Sequence, residues 1–163
     1  MTSEAPPPAT ELMIELFPIE RWARIRASID LSPGSEAAVL EASHLTSDEW
    51  ESLDERWLAH QDEALARGDT SSLHTADDAY LARVEEERGT VTADEYAALI
   101  AAAERGTAEQ VLAELGIPSE AVVVVERVWC RRARQPQAQD SAAVSTSRSH
   151  VRVQGESRDD DPS

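Results

Sequence analysis

The chain has 163 residues, 32 acidic against 15 basic side chains and a formal net charge of -17, which leaves room for one modest domain with tails. Negative charge of that size, spread along the chain, argues against a surface for nucleic acid or anionic lipid. The single cysteine, Cys130, excludes an intrachain disulfide and a zinc site built from cysteines.

Residues 1–10 are polar and rich in proline. They lack the basic stretch and apolar core of a signal peptide, so they read as a disordered leader. The ordered domain is expected over residues 11–134. Within it, residues 12–17 fit either a helical turn or an extended piece. Pro18 suits the first turn of a helix that carries Ile19, Trp22, Ile25 and Ile29 on one side. Ser35 is placed to cap a short helix ending at Ala42. Thr46 with Glu49 spells a capping box, opening a long helix that Gly68 ends. Thr75 with Asp78 reads as the start of a linking helix over residues 75–88, stopped by Gly89. Two more capping boxes are expected, at Thr92 with Glu95 and at Thr107 with Gln110, and Gly116 closes the second of those helices.

Residues 122–125 are four valines, a run that in isolation favours a strand. An internal repeat overrules that preference. Trp22, Ile25 and Ile29 align with Tyr96, Leu99 and Ala103. Ser35, Val39 and Leu40 align with Thr107, Val111 and Leu112. Trp50, Leu53 and Trp57 align with Val122, Val125 and Trp129, which makes the valine run helical. The expected fold is therefore all-α, with six or seven helices in two duplicated units, residues 17–68 and 91–134, joined by the linking helix. Residues 135–163 are rich in Ser, Gln, Asp and Arg and read as a disordered tail.

Candidate chemistry is sparse. Glu41 and His44 have the Glu-x-x-His spacing of di-iron bundles, but a second such pair is missing. His44 also aligns with Gly116, a position that calls for a left-handed backbone, so it reads as a helix cap and not a ligand. Cys130 sits among Arg127, Arg131, Arg132 and Arg134, yet it aligns with the apolar Leu58 and reads as a small hydrophobe. The arginines themselves suit a helix C-terminus or an acidic surface. Trp22, Trp50, Trp57 and Trp129 all fall at core spacing. Residues 108–127 resemble a helix-turn-helix, but the second helix would offer valines to DNA where polar and cationic side chains are needed. No catalytic constellation, metal set or cofactor-binding motif stands out.

All fifteen cations are arginine, a usage that fits a GC-rich bacterial genome. The stretches PIERWARIRASID, EAAVLEASHLTSDEWESLDERW and TADEYAALIAAAERG resemble short helical-repeat proteins of such bacteria, some encoded near type VI secretion genes. That resemblance implies an accessory or adaptor role and brings no catalytic residues. The expectation is a non-enzymatic, cytoplasmic, acidic module that binds a protein with a basic surface and needs no cofactor, nucleic acid or membrane. Its docking face would be the long helix, with Trp50, Leu53 and Trp57 inward and Asp48, Glu51, Asp54, Glu55, Asp62 and Glu63 outward. The competing expectation is a transcriptional regulator that uses residues 108–127.

Overall fold

The computed structural model describes residues 17–134. The readings of residues 1–10, 12–16 and 135–163 lie outside the described residues. Among the described residues seven α-helices follow one another: α1 Ile19–Leu31, α2 Glu36–Ala42, α3 Ser47–Ala66, α4 Ser71–Arg88, α5 Ala93–Glu104, α6 Ala108–Leu115, and α7 over residues 122–134. A 3-10 turn, Ser119–Ala121, leads into α7, and no strand occurs among the described residues. The fold is all-α. The valine run is helical, so tertiary burial outweighs its β preference.

Local chemistry sets most helix ends. Thr46 with Glu49 and Thr92 with Glu95 form complete capping boxes at the starts of α3 and α5. Four helices end on a left-handed residue that lets the following amide reach back to the last turn. Leu45 N–H donates to Leu40 O at 2.9 Å and Ile117 N–H to Leu112 O at 2.9 Å, with His44 at φ 59 and Gly116 at φ 65 as the left-handed residues. Gly68 and Gly106 play the same part after α3 and α5. Among the described residues His44 is the one non-glycine with positive φ. It is a helix cap.

Three expected starts are corrected. Ser35 precedes α2 without a side-chain capping bond. α4 begins at Ser71, ahead of Thr75. Asp69 Oδ1 accepts from Ser71 N–H at 2.9 Å, while the Thr75 hydroxyl turns back to Ser71 O at 3.0 Å, so Asp69 fixes the first turn and Thr75 lies inside the helix. Thr107 precedes α6 without a capping bond. Its hydroxyl goes to Ala102 O, and Gln110 bonds Glu114.

The chain divides into two compact bodies, one ending at Val128 and one beginning at Trp129. The first closes short of the expected boundary at residue 134, and Val128 is the last buried side chain of α7 among the described residues. In this body α1 runs antiparallel along α4. The direction is fixed by three cross-links: Asp30 to Tyr80, Ser28 to Arg83, and Arg24 to Glu86. Ala23 and Ala27 of α1 and Ala76 of α4 are buried, and side chains this small let helices approach closely. Leu81 and Val84 are fully enclosed, each contributing about 1.5–3 kcal/mol by burial. Arg88 ties the end of α4 to Leu115 O of α6 and to Glu95 of α5. Trp22, Trp50 and Trp57 are core side chains. In the second body Trp129 is half-buried with Arg132 over its ring at 5.4 Å, so it is less enclosed than Trp57, with which it was aligned.

Candidate functional site

Four helices of the first body turn polar residues toward one another in rows spaced by three or four positions, the spacing of a helix face. α1 supplies Trp22, Arg26 and Asp30, and α3 supplies Leu58 and Gln61. α4 brings Leu73, Asp77 and Tyr80, while Glu120, Val124 and Arg127 come from the 3-10 turn and α7. Together they bound a cleft of about 200 Å³.

Its charges are mostly matched. Arg127 donates through Nε and Nη2 to the two oxygens of Asp77, at 2.8 and 2.6 Å. This forked geometry is what arginine offers and a point charge cannot. Asp77 is only 3% exposed, and its hydrogen bonds hold the Arg127 guanidinium above its ordinary pKa. Arg26 donates from Nη1 to Asp54 Oδ1 at 2.7 Å, and the Trp22 indole N–H donates to the same oxygen at 2.9 Å. Arg26 also lies over the Trp22 ring at 5.7 Å.

Asp30 has a different kind of partner. The Tyr80 hydroxyl donates to its Oδ2 at 2.7 Å. Burial pushes the Asp30 carboxyl above its usual range, and repulsion from Glu120 and Asp54 adds to that, against the phenol and Arg26. Burial likewise raises the Tyr80 phenol, with the Asp30 bond second. Glu120 is exposed, and it accepts from the Ser119 hydroxyl at 3.0 Å. Gln61 is 8% exposed, and its Nε2 has no hydrogen-bond partner.

Of the six residues expected on the outer face of α3, five are exposed: Asp48, Glu51, Glu55, Asp62 and Glu63. Asp54 is corrected. It lies four positions after Trp50 and three before Trp57, inside the apolar stripe, and it is spent on Trp22 and Arg26. Beside the exposed group, Trp50 floors a shallow groove of about 440 Å³ edged by Glu36, Glu51 and Glu55. Cys130, read as a small hydrophobe, is exposed, as is Leu58, with which it was aligned. Arg127 answers the chain's own Asp77 rather than a helix end. Along residues 122–127 of the helix-turn-helix-like segment the exposed side chains are Val123 and Glu126.

Sequence reasoning missed the cleft. A signal was present in α1, where Arg26 and Asp30 continue the row begun by Trp22, so that charged residues extend a core stripe. No helix among the described residues is long and apolar enough to cross a membrane. Comparison with known proteins adds nothing to this geometry: no family model, curated protein or solved structure matches the chain.

Proposed function

We propose that this chain is a non-enzymatic acidic helical module, an adaptor or immunity-like accessory protein of the bacterial cytoplasm that docks a basic protein through the outer face of α3. One observation carries the reading. Asp48, Glu51, Glu55, Asp62 and Glu63 are exposed and, among the described residues, make no ion pair or side-chain hydrogen bond. At Asp77, Asp54, Glu86 and Glu95 the first body instead neutralises a carboxylate with an arginine brought from another helix. An unneutralised acidic face steers a basic partner by long-range attraction, which salt weakens. The groove at Trp50 gives that face relief into which a partner's cationic side chain fits. The resemblance to helical-repeat proteins encoded near secretion genes supports an accessory role.

The test is capture of the partner from the source cell, followed by association kinetics across a range of salt. Reversal of Glu51, Glu55 and Asp62 to arginine slows association by about tenfold or more at low salt, with dissociation much less affected. Equal association rates for variant and wild type at low salt would reject the acidic face as the docking surface.

A further inference from the structure

The outer side of α3 carries an order that its charge alone does not require. The buried residues of the helix, Trp50, Leu53, Trp57, Gln61 and Ala64, form its inward stripe, and that stripe meets the core without help from the opposite side. Outside it stand Asp48, Glu51, Glu55, Leu58, Asp62 and Leu65, and all six are exposed. Their separations run three, four, three, four, three, which is the a and d repeat of a helix seam. A heptad falls within about 20° of two full turns. Asp48, Glu55 and Asp62 therefore stand in one row along the helix, with Glu51, Leu58 and Leu65 in the row beside it.

The two leucines are the members that solubility does not explain. Among the described residues the large apolar side chains exposed to solvent are Leu58, Leu65, Ile100 and Val123. Leu58 and Leu65, at 41% and 42% exposure, share one row of one helix. Scattered exposed leucines are ordinary, whereas two spaced by a heptad beside a row of carboxylates make a face that another helix completes. Leu58 also bounds the cleft together with Leu73 and Val124, so the apolar surface continues past α3 there. Asp48, Glu55 and Asp62 make no ion pair among the described residues.

We propose that this seam receives an amphipathic helix of the partner, with leucine-class residues on Leu58 and Leu65 and arginine or lysine on Asp48, Glu55 and Asp62. The proposal rests on the acidic face being the docking surface and adds which kind of segment docks there and in what register. Charge selects the occupant. A second α3 laid along the seam in either direction would set these carboxylates against carboxylates or leucines, so the face fits a different, basic chain.

The probe is a synthetic peptide of about three heptads, with arginine at a, leucine at d and alanine elsewhere, titrated into the full chain by calorimetry at low salt. Saturable one-to-one binding with a Kd of about 100 μM or tighter is expected. A peptide of the same composition, with its leucines moved to the opposite face, binds about tenfold or more weakly. Leu58→Gln together with Leu65→Gln weakens binding of the original peptide by about tenfold or more. The Tm of that variant stays near the wild-type value, because both side chains are exposed. Lack of saturable binding up to about 1 mM, or equal affinity for the two peptides, overturns the proposal. So does equal affinity of the leucine variant and the wild type, which would leave Leu58 and Leu65 as plain surface. The docking reading fails by a different result, unchanged association with the native partner after reversal of Glu51, Glu55 and Asp62.

Discussion

Two faces of α3 use the same acidic chemistry to different ends. On the side toward α1, Asp54 receives both the Trp22 indole and Arg26 and so becomes part of the packing. One residue further, Glu55 is exposed, because one step along a helix turns the side chain by about 100°. The contrast shows that the net charge is unevenly distributed. Carboxylates that fall on rows facing other helices meet arginines or, at Asp30, the Tyr80 hydroxyl, and fix helix positions. Those rotated away from the rows remain for solvent or a partner.

The largest expected effect probes the inner side. Trp57→Ala removes an indole that is 5% exposed and lies 6.4 Å from the Trp22 ring. It should lower stability by about 3–5 kcal/mol, read by urea denaturation. A loss below about 1 kcal/mol would mean that the inner stripe is not a packed core.

Arg127→Ala comes next. It takes the forked guanidinium away from a buried Asp77, and because the Arg127 side chain is itself 37% exposed, the expected loss is about 2–3 kcal/mol, under the range for a fully enclosed pair. The companion Asp77→Asn should recover part of that loss in the double variant, since the carboxylate charge that the guanidinium faced is then removed as well. Strict additivity of the two would show that they do not act as a pair.

A mark between the two regions is set by backbone alone. His44→Gly relieves a left-handed side-chain residue and should stabilise by about 1 kcal/mol, read in the same denaturation assay. Gly116→Ala at the corresponding cap should cost a similar amount, since the added Cβ meets nothing nearer than Arg88 Cβ at 3.9 Å and strain at φ 65 is left as the cause.

The cleft also titrates. Burial raises the folded pKa of Asp30 above its unfolded value, so the folded state holds that proton more tightly. Its contribution to stability is therefore greatest below the unfolded value, about 4, and declines as pH rises through the folded one. Asp30→Asn keeps an acceptor for the Tyr80 phenol and removes the titration. Its unfolding free energy should gain on that of the wild type as pH climbs through this window, and a gap independent of pH would place Asp30 in ordinary solvent. The smallest effect belongs to the outer face. Reversal of Glu51, Glu55 and Asp62 should change stability by no more than about 0.5 kcal/mol, and a larger loss would make that face structural and end the contrast.

What the sequence disclosed is what lies within a helical turn or two. Thr46 with Glu49, Thr92 with Glu95, and the glycines after α3, α4 and α6 are local signals, and they locate helix ends. His44 was readable as a cap because its alignment with Gly116 set a backbone requirement. Thr75 and Thr107 misled because a hydroxyl near a helix start has several acceptors in reach, and the sequence does not say which it takes. The cleft was hidden for a different reason. Its bonds join Trp22 to Asp54, Asp30 to Tyr80 and Asp77 to Arg127, separated by 32, 50 and 50 positions. Spacing shows that Arg26 and Asp30 share a face with Trp22. It does not show which other helix that face meets.

The antiparallel pairing of α1 with α4 has a kinetic consequence. Its cross-links close loops of 50 to 62 residues, with all of α2 and α3 inside them. Each doubling of such a loop adds only about 0.6 kcal/mol of closure entropy, so the separation does little to the equilibrium. It acts on the search. Helices form locally and early, while the α1–α4 seam waits for its ends to meet, so folding of this chain should run slower than that of a bundle whose successive helices pair in order.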